Sequence, residues 1–292
     1  MADLDLRPLS LGEILDRTFS LYRRHFLLFA GITAIPQLLV LALNLAQTLF
    51  IKIPAGRTNA PVEQLQAGTS GGLGGLVIFG IVGVIVGVVV YLVAYLFAQG
   101  GTVFAVSELY LGRTTTISAS LGRMRGQLGS LFGVILLNGL ATMGAFILLI
   151  IPGFYVICRL LICVPAALLE DLGPRSSLER SWGLTKDYAG RAFVIYLLYL
   201  VLAYAAAFLF TLPFGVAIAM SAKNPEALRL WSALSHVGQF FGEVLVSPIL
   251  TIATAVFYYD LRVRKEAFDL QFMMNPTGPI APGAPGVAKT FS

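Results

Sequence analysis

From Phe26 to Phe50 the chain runs for 25 residues without a charged side chain, and it does so again over 73–107, 126–158 and 192–222. Stretches of about 18 or more nearly uncharged apolar residues mark membrane-spanning helices. The composition agrees, with 57% hydrophobic residues, 12% charged residues and a mean hydropathy of +0.83. Soluble domains hold about 45–50% apolar and about 25% charged residues, so this chain lacks the charge to coat a water-facing surface. A membrane β-barrel would show short alternating segments instead. The fold class expected is therefore all-α, a polytopic membrane helical bundle.

Six transmembrane helices are expected, at roughly 26–50, 73–98, 129–150, 154–170, 191–213 and 233–260. Pro-Gly in "IPGFY" (Ile151 to Tyr155) predicts a tight hairpin between the third and fourth. Of the 20 Lys and Arg residues, fifteen fall in segments on one side of this topology, four on the other, and Arg159 lies within a span. The positive-inside rule then places both termini in the cytoplasm. The N-terminus shows no basic segment leading into a short apolar core, so no cleavable signal peptide is expected. Cys158 and Cys163, five apart in an apolar run, read as packing thiols.

Three polar stretches interrupt the apolar ones and resemble one another. "TTISASLGRMRGQLGSLF" (Thr115 to Phe132) aligns without gaps on "SSLERSWGLTKDYAGRAF" (Ser176 to Phe193), and "LSLGEILDRTFSLYRRHF" (Leu9 to Phe26) is a third copy. Apolar positions recur as Leu11/Ile117/Leu178, Leu15/Leu121/Trp182, Thr18/Met124/Thr185 and Tyr22/Leu128/Ala189. Their i, i+4, i+7, i+11 spacing is one face of a helix. Ser10 with Glu13, and Ser176 with Glu179, read as capping boxes. Each copy leads into an apolar span, and the second, fourth and sixth spans end near Glu108, Glu170 and Asp260.

The membrane domain thus covers 1–271 in three repeated units, roughly 9–111, 112–172 and 173–270, and the Pro/Gly-rich tail 272–292 is expected to be disordered. The three cytoplasmic amphipathic helices either lie in the headgroup layer with their basic residues on anionic lipid or pack beneath the spans as connectors. Candidate lipid contacts are Trp182, Arg180, Lys186, Arg123, Arg125, Arg17, Arg23 and Arg24.

The stretch "VPAALLEDLGPRSSLERSWGLTKDYAGRAF" (Val164 to Phe193) resembles the bacterial membrane domain named after glycerophosphoryl diester phosphodiesterases. So do Leu6 to Phe26 and "YYDLRVRKEAFDLQ" (Tyr258 to Gln271). The residues matching the motif are Pro165, Glu170, Arg180, Ser181, Trp182, Leu184 and Thr185, with Asp260 in the last segment. The resemblance implies a bacterial inner-membrane module of unestablished function. In some relatives that module is fused to a catalytic barrel with acidic metal ligands and a histidine. With two histidines, His25 and His236, and only a short tail after Gln271, this chain is expected to lack that barrel and its hydrolase activity.

Glu243 lies inside the sixth span, where a carboxylate is costly and marks a functional hypothesis, and Arg159 in the fourth is a candidate partner for it. A salt bridge between helices and a polar ligand site are the two readings of that pair. Asn44, Gln47, Gln99, Asn138 and Gln239 read as cross-helix packing groups. Pro36, Pro165 and Pro248 are candidate kinks, and Gly83-x-x-x-Gly87 and Gly129-x-x-x-Gly133 candidate close contacts.

No nucleotide loop, metal motif or nucleophile–base constellation occurs, so no catalytic residue, cofactor or metal is expected, and the net charge of +5 is accounted for by topology without nucleic acid. The function expected is a non-enzymatic, lipid-facing scaffold or accessory module. The alternative is a small transporter or lipid-handling protein with a polar site around Glu243 and Arg159. Partners expected are anionic lipids of the cytoplasmic leaflet, and a membrane protein or a second copy of the chain.

Overall fold

A computed structural model describes residues 7–50, 72–221 and 224–267 of the chain. The connector after residue 50, the tail after 271, and Lys52, Arg57 and Lys223 of the charge asymmetry lie outside the described residues. The described residues are helical, with no strand among them. The helices are α1 (Leu11–Arg24), α2 (Phe26–Phe50), α3 (Gly72–Tyr110), α4 (Ile117–Arg123), α5 (Leu128–Leu148), α6 (Ile150–Leu160), α7 (Cys163–Leu169), α8 (Pro174–Leu184), α9 (Ala189–Met220) and α10 (Pro225–Glu266). A 3₁₀ turn, Met124–Gly126, links α4 to α5.

Six segments are long and apolar enough to cross a membrane: Phe26–Thr48, Ile81–Tyr110, Leu128–Leu148, Ile150–Leu169, Ala189–Met220 and Pro225–Glu266. This is the architecture of a multi-pass membrane protein.

Local chemistry sets several boundaries. Ser10 caps α1 in a full capping box: its side chain accepts from the Glu13 N–H, and the Glu13 carboxylate accepts from the Ser10 N–H at 2.7 Å. The second expected capping box does not form, because Gly173 is the N-cap of α8 and Pro174 its first residue. Glu179 instead accepts from Arg175 at 2.9 Å, one turn earlier.

The expected Pro-Gly hairpin is also displaced. The chain turns at Leu149, whose backbone is extended, and Pro152 falls in the first turn of α6, where its missing N–H costs nothing. Gly153 lies flat against the Phe146 ring, where a Cβ would meet ring carbons at 2.5 Å. Pro165 breaks the fourth span: without an N–H it cannot bond the Leu161 carbonyl, and the helix lapses between Leu160 and Cys163. Pro36 and Pro248 sit within the unbroken α2 and α10.

The described residues form two compact units, and four helices contribute to both. Unit 1 holds the chain up to Thr33, Leu96–Val201 and the part from Ser247. Unit 2 holds the described parts of Ala34–Tyr95 and Leu202–Val246.

The core of unit 1 is built on the ends of α3 and α10. Ile252 to Arg262 is buried on every side of its helix, as is Thr102 to Ser107. Gly100 and Gly101 leave room on α3 for Met124 and Leu121, which a Cβ at either glycine would displace. Tyr110 stacks on Tyr259 at 4.9 Å, and the Tyr259 and Ser107 hydroxyls share a hydrogen bond of 2.8 Å.

The three repeated stretches occupy α1, α4 with its 3₁₀ turn, and α8. The aligned positions Ile14, Ser120 and Ser181 are all buried, and so are Thr18, Met124 and Thr185. Leu11, Leu15, Tyr22, Ile117 and Leu121 pack against the core. The apolar stripe therefore faces protein, which favours the connector reading of these helices over the headgroup one. Trp182 is the exception on that stripe, at 41% exposure.

In unit 2 the apolar side chains Ile35, Leu39, Val84, Tyr204, Phe208 and Leu209 point outward, as on helices facing lipid. A close helix approach that the sequence reading passed over lies at Gly238: a Cβ there would run into the backbone carbonyl of Phe210, and Gly242 packs on the Phe210 ring. Of the glycine pairs singled out, Gly83 and Gly87 face Gln47, Gly133 faces Pro174, and Gly129 faces open space. Gly238→Leu should lower stability by about 1–3 kcal/mol through overpacking, and Gly129→Ala should change it by less than about 0.5 kcal/mol. Thermal unfolding in detergent, followed by circular dichroism, measures both.

Candidate functional site

Three carboxylates near the ends of the second, fourth and sixth spans organise unit 1. Each is bound by the polar stretch of another repeat. Glu108 stands at the end of α3, which closes on Gly112 in the left-handed region (φ 74°) with the Arg113 N–H returning to the Glu108 carbonyl at 2.8 Å. Its side chain accepts from Arg123 of α4 at 2.6 Å.

Glu170 caps α7, which ends the same way. Asp171 takes the left-handed position (φ 52°) and the Leu172 N–H returns to Ala167 at 3.0 Å. The Glu170 side chain, 2% exposed, receives a two-pronged Arg180 at 2.8–3.0 Å and the Tyr258 hydroxyl at 2.7 Å. Arg180 also pairs with Glu266, which accepts from the fully buried Arg262 at 3.0 Å. Burial pulls the Arg180 pKa down, but Glu266 and Glu170 outweigh it and raise that pKa above its ordinary value.

Asp260 closes the series onto the first repeat. Its side chain has no solvent exposure and accepts from the Leu9 N–H at 2.6 Å and from Arg264 at 2.9 Å, with Arg191 3.6 Å away. Arg191 and Arg264 also both donate to the Leu9 carbonyl. These are paired and hydrogen-bonded buried charges, the form in which a protein interior tolerates them.

Arg159 belongs to the same unit and is 4% exposed. Its guanidinium donates to the Trp182 carbonyl at 2.6 Å and lies 4.6 Å from the Trp182 ring and 5.7 Å from the Tyr155 ring. Just before the break in the fourth span, the Arg159 carbonyl accepts from the Ser181 hydroxyl at 2.8 Å and the Thr185 hydroxyl at 2.9 Å. Lys265 donates to the Gly183 carbonyl near the end of α8. The residues carrying the family resemblance thus have local work: Pro165 makes the break, Ser181 and Thr185 donate to the carbonyl beside it, Leu184 is buried in the core, and Glu170 and Asp260 anchor the arginines.

Unit 2 contains a different kind of site, a cavity of about 190 Å³. Gln37, Val40, Leu41 and Asn44 of α2 line it at i, i+3, i+4 and i+7, one helix face. His236, Gln239, Phe240 and Glu243 of α10 line it at the same spacing, and Tyr91 of α3 completes the wall. Six of these nine side chains are polar or ionisable although their helices are apolar enough to span a membrane.

Among the described residues Glu243 has no ion pair or hydrogen bond, and the buried Nδ1 of His236 has no hydrogen-bond partner. The amides expected only to pack divide accordingly. Gln47 donates to Gly83, Thr251 donates to Gln99, and Asn138 donates to the Cys163 sulfur, whereas Asn44 and Gln239 line the cavity.

Arg159 and Glu243 thus belong to different units. Arg159 is engaged within unit 1, and the cavity wall in unit 2 contains no arginine or lysine. Of the expected lipid contacts, Arg180 and Arg123 are held by carboxylates, and Arg17 donates to the Tyr110 hydroxyl at 3.2 Å. Arg23, Arg24, Arg125 and Lys186 are exposed. Both cysteines are buried thiols. Gln37, Tyr91 and His236 were not singled out from sequence, although the shared spacing of 37, 40, 41, 44 and of 236, 239, 240, 243 was there to be read. Among the described residues no three of His, Cys, Asp and Glu converge as a metal site requires. Compared with protein-family models, curated proteins and solved structures, the chain matched none.

Glu170→Ala should destabilise the protein by about 3–5 kcal/mol, since it removes the two-pronged partner of Arg180 and the acceptor of the buried Tyr258 hydroxyl. Removing the exposed Arg175–Glu179 pair should cost less than about 1 kcal/mol. Denaturation in mixed micelles reports the difference. The backbone N–H of Ser10, then the hydrogen bond from Arg7, hold the Glu13 carboxyl down at a pKa of about 2. Because that pKa is lowered, the cap is at full strength above the ordinary carboxylate range and is lost as pH falls through about 2. Amide exchange in the first turn of α1 should stay protected at pH 4; loss of protection near pH 4.5 would contradict this.

Proposed function

We propose that the protein is a non-catalytic, multi-pass membrane protein that takes a small polar ligand into the cavity of unit 2, as a small transporter or a lipid-handling protein does. The observation that carries this reading is the clustering of Glu243, His236, Gln239, Gln37, Asn44 and Tyr91 around one intramembrane cavity, with the carboxylate unpaired among the described residues. Polar groups cost free energy in a span, and they cluster where a polar species binds or passes. The scaffold reading expected from sequence rested on basic stripes meeting lipid, and three of those seven basic side chains, Arg17, Arg123 and Arg180, have partners within the chain.

The proposal places the protein in a bacterial cytoplasmic membrane with both termini in the cytoplasm, supported by the asymmetry of Lys and Arg. Exposed Arg23, Arg24, Arg125 and Lys186 would then meet anionic lipid of that leaflet. We carry the resemblance to the glycerophosphoryl diester phosphodiesterase membrane domain forward as part of the proposal. Its support is that the buried Glu170, Ser181, Thr185 and Asp260 serve the anchoring contacts described above.

Native mass spectrometry of protein released gently from detergent tests the ligand reading. One species retained per chain, absent from folded Glu243→Gln, is the expected result. Retention unchanged by Glu243→Gln, or none in the wild type, would contradict it.

A further inference from the structure

We infer that the ligand of the unit 2 cavity carries an ammonium group, recognised by the carboxylate of Glu243 and the rings of Tyr91 and Phe240. This rests on the reading of the cavity as a ligand site and names the class of ligand.

The argument is one of complementarity. Among the described residues Glu243 is the only acidic one in the wall, and none that lines it is lysine or arginine. An anionic group would stand against that carboxylate, with no lysine or arginine among the described lining residues to receive it. A neutral group would leave a carboxylate at membrane depth uncompensated, and such a charge is tolerated when a cation lies beside it. Among the described residues no cation does so.

The rest of the wall suits an organic cation better than a bare metal ion. Aromatic faces attract ammonium groups, most strongly when desolvated, and a carboxylate beside aromatic rings is how such cations are commonly held. Gln37, Asn44 and Gln239 bring amide oxygens able to accept from an N–H. Val40 and Leu41 add apolar surface for methyl or methylene groups.

Size narrows the choice. Drug-sized ligands occupy about 300–1,000 Å³, whereas this cavity measures about 190 Å³. It accommodates one small group, either a free amine or the amino headgroup of a lipid whose chains stay in the bilayer.

Two arms separate these sources. In the first, ethanolamine, choline and the neutral choline isostere 3,3-dimethylbutan-1-ol are titrated into purified protein in an uncharged detergent, with binding read by calorimetry. In the second, nanodiscs of phosphatidylethanolamine mixed with phosphatidylglycerol are used, and the lipid retained per chain is read by native mass spectrometry. A free-amine ligand predicts that an amine binds at least about tenfold more tightly than the isostere and that Glu243→Gln abolishes the preference. A lipid ligand predicts selective retention of phosphatidylethanolamine, lost in Glu243→Gln, with the soluble amines weak.

Either result supports the inference. Should Glu243→Gln fail to fold, Tyr91→Leu replaces it and should reduce the same preference severalfold. Glu243-dependent retention of phosphatidylglycerol, or equal binding of choline and its isostere together with no selective retention of phosphatidylethanolamine, would overturn the ammonium assignment and leave the cavity reading standing. Binding of no ligand in either arm would overturn both.

Discussion

A carboxylate removed from water must be met by cations or hydrogen-bond donors, and unit 1 is arranged around three that are. Asp260 and Glu170 have almost no solvent access, and between them they collect Arg264, Arg191, Arg180, the Tyr258 hydroxyl and the Leu9 N–H. Each acid follows one repeat and binds the polar stretch of another, the last returning to the first at Leu9. These contacts tie the ends of α3, α7 and α10 to α4, α8, the start of α9 and the residues leading into α1. Buried pairs of this kind contribute little net stability against a well-packed apolar core, but breaking one is costly, so they fix which ends meet.

The same constraint makes Glu243 informative. It lies in the same helix as Asp260, in the part that belongs to unit 2, and it has none of Asp260's partners. Its neighbours are two amides of α2, an amide and an imidazole of α10 and a phenol of α3, on otherwise apolar helices. Structural polar residues in this protein find one another: Gln99 with Thr251, Asn138 with Cys163, Arg159 with Trp182. A set that stays unpaired around a cavity is suited to a molecule from outside the chain.

Much of the fold was legible because hydropathy in a bilayer leaves few choices. The six spans and the all-α class came from uncharged runs, and the repeated stretches from their shared spacing. The candidate pairing of Arg159 with Glu243 was argued from depth along a helix, which says nothing of direction around the bundle, and the structure engages Arg159 with Trp182 in unit 1 while Glu243 lines a cavity in unit 2. The Pro-Gly turn failed because proline at the start of a helix and proline in a turn share one local signature, and only packing against Phe146 distinguishes them here. The apolar stripes were read correctly as faces, but a sequence does not say whether lipid or protein covers a face. His236 was weighed only as a catalytic histidine and Gln37 was passed over, because a single polar residue in a span is usually packing and its meaning depends on which helices face each other.

The measurement that bears most directly on the central claim is a high-resolution cryo-electron microscopy map of the protein purified from its native membrane in lipid nanodiscs. The account predicts density that does not belong to the chain, in contact with the Glu243 carboxylate and bounded by Tyr91, Gln239 and Gln37. A map in which Glu243 is hydrogen-bonded by Gln37, Asn44 or His236, with the cavity closed by those contacts, would contradict it and make the cluster a packing feature.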